Sequence, residues 1–332
     1  MIRSFVFTTQ GRLQSRTIEP PLASGLLRDP NVFLWIDLEK PPAQEARLWL
    51  EEIFNFHPLS IEDCIAPTPS PKVEEYVPRE DDRFSPYLFI VMHAVDYTPT
   101  EDCFAKSELN LFLGANFLVS YHDDPLRSVT QVEDSVLKGT LHPPRAPDRL
   151  AHSLLDALVE NYKPALEAFS LRIAEMEQMA LEGPDKGTLG KILQLKKMVV
   201  QLRRTISPEQ EVLARFAHGE FKLIRPRLVP YFRDTHDALS HLSDLAQSYA
   251  DSLTGTLQVY LNVSSNQTGE VVKVLTLITV ITTPLMMIGT WYGMNFQHMP
   301  ELAAEHGYLV ACGAMLISTG VTIWYFKKKK WF

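Results

Sequence analysis

Two uncharged apolar stretches of 19 residues, Val274 to Tyr292 and Tyr308 to Phe326, lie near the end of the chain and are followed at once by four lysines, Lys327 to Lys330. At about 1.5 Å per helical residue, each stretch covers the roughly 30 Å of a bilayer's hydrocarbon, so both are expected to span it as helices. Positive residues near the ends of spans stay on the cytoplasmic side, which places Lys327 to Lys330 inside. With two spans the large N-terminal part lies on that same side, and Lys273 ahead of the first span agrees. The chain is read as a multi-pass protein of a bacterial or archaeal plasma membrane with both termini cytoplasmic. Only the loop Phe296 to Gly307 is external, and it carries Glu301 and Glu305 but no Lys or Arg.

Composition allows a sizeable soluble core beside the spans, since 45% of the 332 residues are hydrophobic. A formal charge of −8 becomes −12 once the four tail lysines are set aside, which argues against a nucleic-acid partner. Cys64, Cys103 and Cys312 form no CxxC pair and leave an odd member, so neither a disulfide framework nor a structural zinc site is expected. The opening Met-Ile-Arg-Ser-Phe lacks the apolar region of a signal peptide, so membrane insertion is expected to rest on the C-terminal spans.

The expected fold is an α+β cytoplasmic domain joined by long helices to two C-terminal transmembrane helices. Residues 1–147 mix strand and helix signals. Phe33 to Leu38 and Tyr87 to Val95 read as strands, and Leu109 to Leu113 with Phe117 to Tyr121 read as a hairpin around Gly114-Ala115-Asn116. Ala43 to Phe54 and the segment from Ser60 read as helices, and five prolines between Pro67 and Pro86 mark a loop. Residues 148–225 read as a long helical hairpin. Leu150, Leu154, Leu158, Tyr162, Leu166, Phe169, Ile173 and Met176 recur at helical spacing with a kink expected at Pro164, and Leu189, Ile192, Leu195, Val199, Leu202 and Ile206 continue the pattern after a turn at 183–187. Residues 226–273 are the cytoplasmic part of a long helix that enters the first span, 274–292. Unbroken from Tyr231 to Tyr292, it would measure about 93 Å, with Gly255 and Gly269 as its weak points. Then follow an external loop, 293–307, the second span, 308–326, and a basic tail, 327–332.

Thr276, Thr279, Thr283 and Thr290 stand three, four and seven residues apart, which puts their hydroxyls on one face of the first span, with Met286 filling the gap. A single membrane threonine ordinarily bonds the carbonyl four residues back and faces a neighbouring helix. Four along one face form a polar stripe that a chain with two spans cannot hide by itself, so several copies are expected to pack their first helices around a water-lined pore. At the outer end of the stripe Gly293 releases the backbone from the helix and Asn295 offers an uncharged amide oxygen. Hard cations take such ligands, and Mg²⁺ keeps most of its water, so a ring of these amides suits its hydrated form. By itself a Gly-Met-Asn tripeptide also fits a simple helix stop.

Tyr292-Gly293-Met294-Asn295-Phe296, Met299-Pro300-Glu301-Leu302 and Tyr325-Phe326-Lys327 to Lys330-Trp331 resemble the CorA magnesium and cobalt transporters, as do Pro71-Lys72-Val73-Glu74, Tyr231-Phe232-Arg233-Asp234 and Val272-Lys273-Val274-Leu275-Thr276. The resemblance runs from about residue 59 to the end. It implies a funnel-shaped homopentamer in the bilayer with no other protein partner, the first span lining the pore, and Gly293, Met294 and Asn295 forming the selectivity filter. It further implies that Glu301 belongs to an acidic outer mouth, that Val272 and Leu275 form an apolar constriction, and that Asp234 and Asp96 bridge adjacent subunits through a regulatory Mg²⁺. Against these stand the ordinary readings of a solvated loop carboxylate for Glu301, plain helix packing for Val272 and Leu275, and a surface aspartate for Asp96. Gly269, Gln258, Thr283 and Thr290 depart from the family's best-known pattern.

The function that follows is passive, potential-driven influx of Mg²⁺, with Co²⁺ or Ni²⁺ also passing, gated by cytoplasmic Mg²⁺. The alternatives are the related zinc-transporting branch, ZntB, and a membrane-anchored scaffold that conducts nothing. His57, His93 and His122 come with no nucleophile and base motif, so an enzyme is not expected.

Overall fold

The computed structural model describes residues 1–66, 68–80, 82–98, 103–139, 144–183, 185, 187–295 and 305–331, with the backbone alone at 96–98 and 103–105. The elements in order are β1 (Ile2–Thr8), β2 (Leu13–Arg16), α1 (Pro20–Leu26), β3 (Val32–Glu39), α2 (Ala43–Arg47), α3 (Pro58–Ile65), β4 (Lys72–Tyr76), β5 (Tyr87–Thr98), β6 (Cys103–Gly114), β7 (Phe117–His122), α4 (Arg127–Lys138), α5 (Pro147–Glu160), α6 (Lys163–Glu182), α7 (Thr188–Ala217), α8 (Val229–Tyr292) and α9 (Gly307–Lys328). They divide into two compact units, Met1–Gln178 with Gly190–Thr256, and Met179–Leu189 with Leu257–Phe332.

In the first unit seven strands form one sheet in the order β2-β1-β3-β7-β6-β5-β4. Every pairing is antiparallel except β3 with β7, which is parallel. The expected hairpin is β6 and β7, in register from Leu113 opposite Leu118 to Asn110 opposite Tyr121. Residues Val32 to Leu38 of β3 are all buried, because helices cover both faces of the sheet. On one face Leu34, Ile36, Phe89, Phe112 and Phe117 pack with Trp49, Phe54 and Phe56 from the segment around α2 and α3. On the other, α5 lies against β3, β5, β6 and β7. The hairpin turn is tight. A Cβ placed on Gly114 would lie 2.3 Å from the buried Phe117 ring.

Several elements lie where the sequence reading placed none or something else. β4 sits inside the stretch assigned to a proline loop. Pro71 and Pro78 flank it, and it pairs only with β5 at the sheet's edge, where a neighbouring proline breaks no ladder. The helix from Ala43 changes to a π-helical turn at Leu48–Ile53, closed by the Phe54 N–H on the Trp49 carbonyl at 3.1 Å. Pro164 does not kink one helix. The chain stops at Asn161, turns, and starts α6 at Lys163, where a proline second in the helix loses no hydrogen bond because first-turn N–H groups have no helical partner. The apolar spacing itself holds, with Leu150, Leu154, Leu158, Tyr162, Leu166, Phe169, Ile173, Ile192, Leu195, Val199, Leu202 and Ile206 all buried. Gly255 and Gly269 leave α8 unbroken.

An interior ionic cluster ties the N-terminal strand to the rest of the sheet. The Arg3 guanidinium on β1 reaches Asp37 and Glu39 of β3 and Glu133 of α4. Asp37 also accepts from the Ser120 hydroxyl at 2.5 Å and lies 3.3 Å from His122 Nε2. His122 Nδ1 lies 2.6 Å from the Asp124 carbonyl. Both ring nitrogens thus face acceptors. Burial alone would lower the His122 pKa, but the hydrogen bond and charge of Asp37 overcome it and raise the value, favouring an imidazolium.

Gly114→Ala forces Phe117 out of its seat and is expected to cost about 1–3 kcal/mol by overpacking, read as a lower Tm of the full-length protein in detergent. An unchanged Tm would show that the ring yields freely.

Candidate ion pathway

α8 and α9 each contain a window long and apolar enough to cross a membrane, and only 6% of either window is buried within one chain. Apolar helices this exposed need lipid or other copies around them. At about 100° per residue, Thr276, Thr279, Thr283 and Thr290 fall within an arc of roughly 60° on α8. The buried Leu277 and the half-buried Ile281, Pro284, Leu285 and Ile288 occupy the opposite side, whereas Thr279, Thr283 and Thr290 are exposed and Thr276, like Thr282 at the stripe's flank, is half-buried. Met315 of α9 approaches Gly289, 3.7 Å from where a Cβ would stand. The threonine stripe therefore faces away from the covered side of α8.

Each stripe threonine donates its hydroxyl proton to the carbonyl four residues back. The distances are 2.8 Å for Thr276 to Val272, 2.9 Å for Thr279 to Leu275, 2.7 Å for Thr283 to Thr279 and 2.6 Å for Thr290 to Met286. That is the ordinary bonding of a membrane threonine, and it has a consequence for the outer surface. With the proton turned inward, only oxygen lone pairs remain to face out, so the stripe presents acceptors and no donors. A row of acceptors suits a cation or the water around it and repels an anion. Met286 is 60% exposed on the same side. Toward the N-terminal end, the apolar Val272 and Leu275 are 55% and 64% exposed.

α8 ends at Tyr292, where the sequence reading placed its end. The Gly293 N–H still bonds the Gly289 carbonyl at 3.0 Å, and a Cβ at Gly293 would sit 3.1 Å from that same oxygen, so a bare α-carbon suits the closing turn. Met294 and Asn295 follow, both exposed. Glu301 lies outside the described residues. Within α8, Pro284 has no N–H, so the Val280 carbonyl lacks its helical donor.

The two expected regulatory carboxylates lie on different elements. Asp234 is exposed on α8, and the Asp96 backbone pairs with Ala105 between β5 and β6. A cation bridging adjacent subunits needs a second copy, so one chain does not bring them to a common ion. Beside Asp234 is a group that sequence reasoning missed. The buried Thr235 hydroxyl lies 2.9 Å from Asp156 and 3.2 Å from His152 Nε2 on α5. The spacing of His152 and Asp156, four residues apart on one helix face, was the available signal.

Asp37, Glu39 and His122 place their ligand atoms within 4.8 Å of one another, as a metal site would. Arg3 already supplies the positive charge there, so the trio is an ion-pair node. A polar cavity of about 270 Å³ is lined by Cys64, Thr68, His93, Glu108, Asn110 and Asp123, among others. Burial first, then Glu108 and Asp123, push the Cys64 thiol well above its usual range, which makes it a poor nucleophile. Burial also lowers the His93 pKa to about 4, keeping the ring neutral.

Comparison with known proteins agrees with this architecture. The CorA-like Mg2+ transporter protein family matches residues 30–328. The cobalt/magnesium transport protein CorA of Thermotoga maritima is 36% identical over 310 residues, covering 92% of this chain and 85% of the relative. Among solved structures, the complete CorA magnesium transporter of Methanocaldococcus jannaschii superposes with a TM-score of 0.84 at 19% identity, covering 100% of this chain and 99% of that one. The ZntB cytoplasmic domain from Vibrio parahaemolyticus gives 0.57 at 15% identity over 78% of this chain and 96% of that one. With apolar C-terminal helices exposed for the bilayer, a sheet-based domain before them and a family match across nine-tenths of its length, this chain belongs to the CorA-like Mg²⁺ transporter family.

Proposed function

We propose that copies of this chain assemble around their α8 helices into a gated pore that admits Mg²⁺ passively, with Co²⁺ and Ni²⁺ also passing. The observation that carries the reading is the acceptor-only threonine stripe, set away from the covered side of α8 and leading to the exposed Asn295. Cobalt and magnesium transport is also the function named for the T. maritima relative. In this reading residues 226–273 are the cytoplasmic part of the pore helix, 274–292 and 308–326 are the spans, and both termini are cytoplasmic. Five copies, the number the family resemblance implies, set Gly293, Met294 and Asn295 as a ring whose amide oxygens accept from the water around the ion. Glu301 adds negative charge at the outer mouth and raises the local cation concentration.

The membrane potential is a sufficient driving force. Moving a doubly charged ion through 100 mV releases about 4.6 kcal/mol, twice the roughly 2.3 for a single charge. Closure falls to Val272 and Leu275, whose ring dewets when narrow and so stops a hydrated ion. Cytoplasmic Mg²⁺ held between Asp234 of one copy and Asp96 of the next keeps the ring narrow, and loss of that ion leaves like charges facing one another. The ZntB likeness covers the cytoplasmic part and is the weaker of the two structural matches. The Gly-Met-Asn and Met-Pro-Glu-Leu motifs favour magnesium.

Asn295→Ala is expected to lower Mg²⁺ flux in proteoliposomes at least about tenfold, as loss of a filter ligand does. Wild-type flux persisting in the variant removes Asn295 from the filter, and proton-driven Zn²⁺ flux without Mg²⁺ flux selects the zinc reading. In a background with Cys64, Cys103 and Cys312 changed to serine, Thr279→Cys, Thr283→Cys and Thr290→Cys are expected to react with a water-soluble thiol reagent, and Leu277→Cys is not. Equal protection at all four positions contradicts a wet stripe. Mg²⁺ is expected to protect the cytoplasmic region of the wild type from protease, and Asp234→Ala to need severalfold more Mg²⁺ for the same protection. An unshifted midpoint excludes Asp234 as a ligand.

A further inference from the structure

We infer that Glu209 is a neutral carboxylic acid in the folded protein and closes a proton-dependent latch between β5 and α7. The inference starts at a strand edge. β4 pairs with β5 only as far as Lys72 opposite Val91, so beyond that point β5 has no strand beside it on the β4 side among the described residues. The His93 N–H and C=O need partners there, and they are buried. Two side chains take the place of the missing strand. The His93 N–H donates to Glu209 Oε1 at 2.7 Å, and the Tyr162 hydroxyl donates to the His93 carbonyl. Glu209 Oε2 and the Tyr162 oxygen then lie 2.6 Å apart, completing a ring of three hydrogen bonds.

Three bonds need three protons. The His93 amide supplies one and the Tyr162 hydroxyl supplies one, which is already given to the His93 carbonyl. The third must come from the Glu209 carboxyl, with the Tyr162 oxygen as acceptor. Glu209 is fully buried, as is Tyr162. Burial is the leading cause that pushes the Glu209 pKa up to about 8. The His93 amide, the Tyr162 hydroxyl as a competing donor to the ionised carboxylate, and the charge of Lys106 on β6 pull the other way without restoring it. The His93 ring stays neutral. Once Glu209 loses its proton, a bare charge is left without water, and the Tyr162 hydroxyl must choose between the carboxylate and the strand carbonyl. The latch then loosens β5 from α7 and from the α5–α6 junction that holds Tyr162.

The sign of the pH effect follows from the raised value. Stabilisation is complete below the ordinary carboxyl range, is lost as pH rises toward about 8, and is level above it. The test uses the full-length protein in detergent. Infrared spectra near pH 6.5 are expected to show a protonated-carboxyl C=O band that Glu209→Gln removes, that Tyr162→Phe shifts by deleting its acceptor, and that titrates near pH 8. Glu209→Gln preserves the shape and replaces the acid proton with an amide proton. The ratio of unfolding constants, wild type to variant, is expected to rise about tenfold per pH unit between pH 5.5 and 7.5 and then level off. If the Gln variant fails to accumulate, the wild-type band and its Tyr162→Phe shift decide alone. Absence of the band at pH 6.5, or parallel stability curves for wild type and Glu209→Gln, overturns the inference.

Discussion

Hydrocarbon offers no hydrogen bonds, so every polar group that enters it must find a partner inside the protein. For its stripe hydroxyls α8 meets this demand within itself, turning each onto a carbonyl one turn back. The same act leaves oxygen lone pairs along one side of an otherwise apolar rod. Facing lipid, those lone pairs would be unsatisfied. Facing copies of themselves around water, they become a lining with the polarity a cation needs. Near the outer end Met315 of α9 approaches α8 at Gly289, outside the arc of the stripe, Gly293 ends the helix, and the exposed Asn295 follows.

Spans, long helices and the β6–β7 hairpin were legible because their signals are local. Apolar spacing over a few turns and a Gly-Ala-Asn turn need no knowledge of distant residues. β4 was hidden because flanking prolines at 71 and 78 also mark loops, and only its position at the sheet edge makes them compatible with a strand. Pro164 was ambiguous for a related reason, since a proline fits a kinked helix or the start of a new one. β1, β2, α1 and α4 carried too little pattern to be placed. At the candidate site, the helix end that exposes Asn295 was readable from the end of the apolar stretch. The cation bridge expected at Asp96 and Asp234 depends on a second copy of the chain, and Glu301 falls beyond the described residues.

The soluble unit neutralises its buried acids in two ways. Asp37 and Glu39 are answered by the Arg3 guanidinium and His122, a pairing across strands that neighbour one another. Glu209 has no such cation in contact among the described residues and, by our inference, meets burial by holding a proton. Neither arrangement shows in sequence, because the Glu209 to His93 contact joins residues 116 apart and the Arg3 to Glu133 contact joins residues 130 apart. Both secure the sheet, Arg3 by joining β1 to β3 and α4, and Glu209 by holding β5 where β4 runs out.

The missing amide hydrogen at Pro284 has a mechanical result. Because the Val280 carbonyl has no helical donor to lose, flexing α8 at Pro284 costs one hydrogen bond fewer than flexing it elsewhere in the span. The segment bearing Thr290 and Asn295 can therefore swivel a few degrees about this joint while the segment bearing Val272 and Leu275 keeps its own tilt. In the proposed assembly, the two ends are thereby free to adjust their bore separately.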